Sequence, residues 1–144
     1  MPPDPLHDLQ LGPIWVLSTV VGTSTYFVSV ERESFWRVVE AVTDRSSPEV
    51  RAVLQSVIDA GPDLFLDFEL DDRPAVSGLR AVVRAVDGMD PQVAADLKRA
   101  LFEIGLGVAR ARGPYGQQVS AESQALLLLL AELLELRPAS EASP

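Results

Sequence analysis

Eight leucines fall within Leu126–Leu136, interrupted only by Ala131, Glu132 and Glu135. In an α-helix such a run covers most of the circumference. A helix that is apolar all round has to be buried, either in the middle of a bundle or in a subunit interface. The run is too short to span a bilayer, which takes roughly 20 apolar residues. The rest of the chain must therefore supply other helices, or a second subunit, to cover it.

Capping residues and apolar spacing mark those helices. Ser47-Pro48-Glu49 combines a cap, a proline at the first helical position and an acid in the first turn. Val50, Val53, Leu54, Val57 and Ile58 then form one stripe, which Gly61-Pro62 ends. Asp90-Pro91 opens a second such helix, running to about Arg112 and carried by Val93, Leu97, Leu101, Ile104 and Val108. Gly105 and Gly107 inside it read as places of close helix approach rather than a phosphate loop. Ser29 starts a helix to about Val42, with Phe35, Val38, Val39 and Val42 on one side and Glu31 and Glu33 in its first turn. From Pro74, the residues Val76, Leu79, Val82, Val83 and Val86 mark another helix, closing near Asp87-Gly88. Gly12–Val21 carries almost no charge and predicts a helix buried on all sides, with Pro13 in its first turn; a buried strand is the alternative. Ser120 caps the leucine-rich helix.

These elements predict an all-α, single-domain bundle of about six helices over residues 11–136. Residues 1–10, with three prolines, read as a flexible or loosely docked arm, and residues 137–144 as a disordered tail. One segment resists assignment. In residues 63–72 Asp67, Glu69 and Asp71 alternate with Leu66, Phe68 and Leu70, a strand period in a chain with no second strand. An extended loop or short helical turn that packs its Leu and Phe side chains is expected there.

Composition narrows the function. The 144 residues carry 12 bases and 21 acids, a net charge of −9, and six of those negative charges come from residues 59–72. Nucleic acid is a poor partner for such a chain, because phosphate contacts need clustered bases. No cysteine is present, which removes disulfides, thiolate metal sites and cysteine nucleophiles. The N-terminus lacks the basic and apolar regions of a signal peptide, so a cytoplasmic protein is expected. The single histidine, His7, offers little to a catalytic triad or a zinc site. No cofactor or catalytic motif is evident, and Trp15 and Trp36 read as core.

Two stretches match in pattern. Val28-Ser29-Val30-Glu31, followed by Phe35, Val38 and Val39, parallels Val119-Ser120-Ala121-Glu122, followed by Leu126, Leu129 and Leu130. Tyr26 and Tyr115 precede each, which suggests two pseudo-symmetric helix–loop–helix halves. Over residues 12–136, and most clearly in Ala109–Leu136, the chain resembles the TerB-like (tellurite-resistance-associated) helical family. That resemblance implies a helical scaffold, a stress-associated role and a cation site built on acids at the paired loops. Thr25 and Gly116 stand where the family's Asp is expected, and Arg32 and Ser123 where its Glu is expected. The scaffold is thus kept and the family's acids are missing.

The function expected from these features is a non-catalytic interaction module with a protein partner, self-associating through Leu126–Leu136. The alternative is divalent-cation binding through Asp63, Asp67, Glu69 and Asp71 of the acidic segment, or through the helix-start glutamates Glu31, Glu33 and Glu122. Asp67, Glu69 and Asp71 have the spacing of a calcium loop. Asp72 and Gly78 nevertheless occupy the positions where that loop needs glycine and glutamate.

Overall fold

The computed structural model describes residues 5–21, 29–71, 73–112 and 121–136, without the side chains of 5, 6, 21, 29–31, 111, 112 and 122. Among these residues it is all-helical: α1 Pro5–Val21, α2 Ser29–Asp44, α3 Pro48–Ala60, α4 Pro62–Leu70, α5 Ala75–Asp87, α6 Pro91–Arg112 and α7 Ala121–Leu133. The loops carrying Tyr26 and Tyr115 lie outside the described residues, as do Asp72 and the tail from residue 137.

α1 runs through the middle and packs against α3, α4, α5, α6 and α7. Every residue from Leu11 to Val20 is buried, as a helical stretch without charged residues requires. α6 forms the second axis and touches α1, α2, α3, α5 and α7. Its glycines set that packing. A Cβ at Gly105 would lie 2.5 Å from Leu130 Cδ2 and 3.1 Å from Val16 Cγ1, and one at Gly107 would lie 2.7 Å from Val38 Cγ1. The expected stripes of α2, α3 and α6 face this core, with Phe35, Val39, Val42, Val50, Leu54, Val57, Leu97, Leu101, Ile104 and Val108 buried.

Local signals account for several helix ends. Asp90 Oδ2 accepts from the amides of Gln92 and Val93 at 3.1 and 3.4 Å, capping α6 as expected. Ser47 precedes α3 with extended backbone, yet its hydroxyl makes no cap hydrogen bond, so Pro48 with its fixed φ starts the helix. Arg51 closes the other side of that corner, donating to the carbonyls of Thr43, Asp44 and Ser46. Gly61 serves two helices at once. Its amide donates to the Val57 carbonyl at 3.0 Å, and its φ of 55° with ψ of −134° turns the chain directly into α4. That backbone conformation is strained for any side chain. Gly61→Ala is therefore expected to cost about 1–3 kcal/mol, read as a fall in the urea midpoint at unchanged m.

Two expectations are corrected. The first helix begins at Pro5 rather than near Gly12, so residues 5–10 are helical and Pro13 lies inside α1. Contacts remote in sequence hold this extra length. His7 Nε2 meets Asp67 Oδ2 at 3.1 Å, Asp8 Oδ1 accepts from Arg73 Nη2 at 3.3 Å, and Leu9 and Leu11 join the core. Packing thus overrides the backbone hydrogen bond that Pro13 cannot donate. Second, residues 62–70 form a seventh helix, α4, of nine residues. Leu64, Phe65 and Phe68 face inward. Phe65 stacks edge-on against Phe35 and Trp36, and Phe68 against Trp15. Leu66 and Leu70, expected to pack, are instead 58% and 86% exposed, because a helix turns them away from the face that Phe65 and Phe68 share.

Candidate functional site

The acidic segment does not converge. On α4, Asp63 faces solvent, Asp67 pairs with His7, and Glu69 accepts from Arg32 Nη2 at 3.3 Å. The Arg32 guanidinium also lies 5.0 Å over the Phe65 ring, which ties the base to the aromatic cluster. Asp71, after α4, receives Arg73 through Nε and Nη2 at 3.0 and 2.7 Å. Those hydrogen bonds hold the Asp71 carboxyl below its ordinary pKa against the opposing effect of burial, and they push the Arg73 guanidinium up. Asp67, Glu69 and Asp71 thus pair with three different bases, of which Arg73 is shared with Asp8. Glu33 is exposed on α2, and the side chains of Glu31 and Glu122 lie outside the described residues. Among the described residues no three of His, Asp and Glu are grouped as metal ligands.

The structure brings together a different set of residues. A cleft of about 360 Å³ opens between α1, α5 and α7, with Trp15 as one wall and Phe68 from α4 beside it. Ser18, Thr19, Asp71 and Arg73 supply its polar lining. Val76, Leu126, Leu129 and Leu133 line its apolar side. The Trp15 indole is held from several directions. It lies edge-to-face with Phe68 at 5.0 Å, Arg73 Cζ sits 5.6 Å from its ring, and its six-membered ring rests on Gly78. A Cβ at Gly78 would come within 2.3–2.6 Å of three indole atoms. The indole Nε1 is buried and makes no hydrogen bond among the described residues.

Beyond the cleft the seam between α5 and α7 continues into a second hollow of about 360 Å³. Arg80, Arg84 and Asp87 stand on its α5 side, Glu132 and Glu135 on its α7 side, and Leu133 belongs to both hollows. Lys98 of α6 underlies this end, 3.0 Å from Asp87 and 3.2 Å from Glu135. Burial disfavours its charge, but those two carboxylates more than offset that and raise its pKa.

The leucine-rich helix is therefore not central. α7 packs on α1, α5 and α6, burying Leu127, Leu130 and Leu134. Leu128 and Leu129 point outward at 69% and 40% exposure, and Val76 on α5 is 38% exposed. The sequence places Val76 on the core stripe of its helix and gives no role to Arg73. The signal available was Gly78, a glycine inside a helix and therefore a pointer to close approach.

Compared with protein-family models, curated proteins and solved structures, the chain gives no match. Among the described residues no helix is long and apolar enough to cross a membrane.

Proposed function

We propose that this chain is a non-catalytic, cytoplasmic interaction module that binds protein through the face formed by α5 and α7. The supporting observation is the outward apolar surface there: Leu128, Leu129 and Val76 flank a cleft already lined by Leu126, Leu133 and Phe68. Contiguous apolar surface of this kind marks interaction sites. A TerB-like scaffold with two related helix–loop–helix halves is part of the same proposal. The order α1–α2 and α6–α7 fits it, and the paired loops that would decide it lie outside the described residues.

A neutral solvatochromic dye such as Nile red tests whether the face is open for binding. Dilute protein is expected to raise and blue-shift the dye's emission. Leu129→Asp is expected to remove most of that signal, and Leu66→Asp, on the outer side of α4, to leave it intact. A wild-type protein that leaves the dye dark would refute the reading. The cation alternative is addressed by calorimetry with Ca²⁺, Mg²⁺ and Mn²⁺. Saturable heat, abolished by Asp63→Asn and Asp67→Asn together, would put that function in its place.

A further inference from the structure

We infer that the partner seated on this face is a second copy of the chain, related by a two-fold axis running parallel to α5 and α7. The inference rests on the interaction-face reading above and adds the identity of the occupant. It follows from how chemistry is distributed along the seam.

α5 and α7 run in the same direction. Val76, near the start of α5, shares one hollow with Leu126 and Leu129, near the start of α7. Arg84 and Asp87, near the end of α5, share the next with Glu132 and Glu135 at the end of α7. The seam is therefore apolar at one level and charged at the next. Across the seam the two helices also differ in sign. On α5 Val76, Ser77, Arg80 and Arg84 are exposed along one side of the helix, and Asp87, exposed at its end, is paired with Lys98. On α7, besides Ala121 and Gln124 in its first turn, the exposed positions are Ala125, Leu128, Leu129 and Glu132, at the i, i+3, i+4, i+7 spacing of a packing stripe.

Arg80, Arg84 and Glu132 make no ion pair among the described residues. Arg32, Arg45, Arg73, Lys98 and Arg99 all have carboxylate partners in the same chain. Arg37, Arg51 and Arg110 also lack one among the described residues, but only Arg80 and Arg84 stand together beside an acid in the same hollow. Their unsatisfied counterpart, Glu132, stands across the seam on the other helix.

A two-fold axis parallel to the helices resolves this arrangement. Rotation about it lays α5 of each copy against α7 of the other without changing level. Val76 and Ser77 then meet Leu128, Leu129 and Ala125, and Arg80 and Arg84 meet Glu132. Both halves of the contact are satisfied twice by one surface, as an isologous interface requires. An axis perpendicular to the helices and midway along the seam would instead set the apolar level of one copy on the charged level of the other, and one at the apolar level would leave Arg80, Arg84 and Glu132 without partners. Small side chains at Ser77 and Ala125 let the helices approach, and the product is a parallel four-helix contact that covers the exposed leucines.

Sedimentation equilibrium or multi-angle light scattering over a concentration series tests the inference, with circular dichroism confirming that each variant is folded. The wild type is expected to approach twice the 15.6 kDa chain mass as concentration rises. R80E/R84E is expected to weaken association by about tenfold or more. Adding Glu132→Arg to that pair is expected to restore much of it, since the swap rebuilds the same contacts with the signs exchanged. Leu128→Asp with Leu129→Asp is expected to give a monomer. A wild type that stays monomeric at every concentration overturns the inference. If it still binds Nile red, the interaction face itself stands; if it does not, both fall. A dimer indifferent to R80E/R84E and to the leucine replacements also overturns it, because its contact then lies elsewhere.

Discussion

Trp15→Ala should lower stability by about 3–5 kcal/mol, whereas Trp15→Phe should cost only about 1 kcal/mol. The large value follows from burial. Trp15 is among the largest fully buried side chains, walls the cleft and stacks against Phe68, so truncation leaves a void between α1, α4 and α5. The small value follows from chemistry. The Nε1 hydrogen has no acceptor among the described residues, and burying such a donor costs about 1–3 kcal/mol that a phenyl ring does not incur. Phenylalanine loses volume and contact but also removes that penalty. Urea denaturation of the three proteins, compared at equal m, measures both differences. A Phe variant as unstable as the Ala variant would mean that the indole N–H is hydrogen-bonded, contrary to the geometry described above.

Legibility of the fold followed the range of the forces involved. α3 and α6 could be read because cap, proline and apolar stripe all lie within a few residues and agree. The packing role of Gly105 and Gly107 was readable for the same reason: a glycine in a helix costs stability unless a neighbour needs the space. The first turns of α1 were not readable. Three prolines argue against a helix, and the contacts that hold it, His7 with Asp67 and Asp8 with Arg73, join residues 60 and 65 positions apart. α4 was obscured by its own acids. Asp67, Glu69 and Asp71 impose a two-residue alternation, while burial of Leu64, Phe65 and Phe68 follows the helical one. The cleft was the least legible feature, because it depends on Trp15, Val76 and Leu129 meeting across three helices. The leucine run did announce that a helix must find cover. The chain itself buries the side carrying Leu127, Leu130 and Leu134 and leaves Leu128 and Leu129 facing outward.

Gly78→Ala should be destabilising by about 2 kcal/mol, and the sign should reverse once Trp15 is removed. Two effects compete at this position. Alanine in a helix is favoured over glycine by about 1 kcal/mol. Against that, the new methyl would sit within 2.3–2.6 Å of three atoms of a rigid indole, and overpacking of a filled core typically costs about 1–3 kcal/mol or more. The indole cannot swing aside easily, since Phe68 and Arg73 also bear on it. Gly105 differs in kind, because its tightest neighbour is the end of the Leu130 side chain, which can rotate, so Gly105→Ala should be milder. In a Trp15→Ala background the obstacle at Gly78 is gone and only the helical preference remains, so Gly78→Ala should there stabilise by up to about 1 kcal/mol. The double-mutant cycle is therefore expected to show a coupling of about 3 kcal/mol, at the top of the range for residues in direct contact. Additive effects would show that the indole and the α5 backbone do not touch, and would remove Gly78 as the reason Trp15 can wall the cleft.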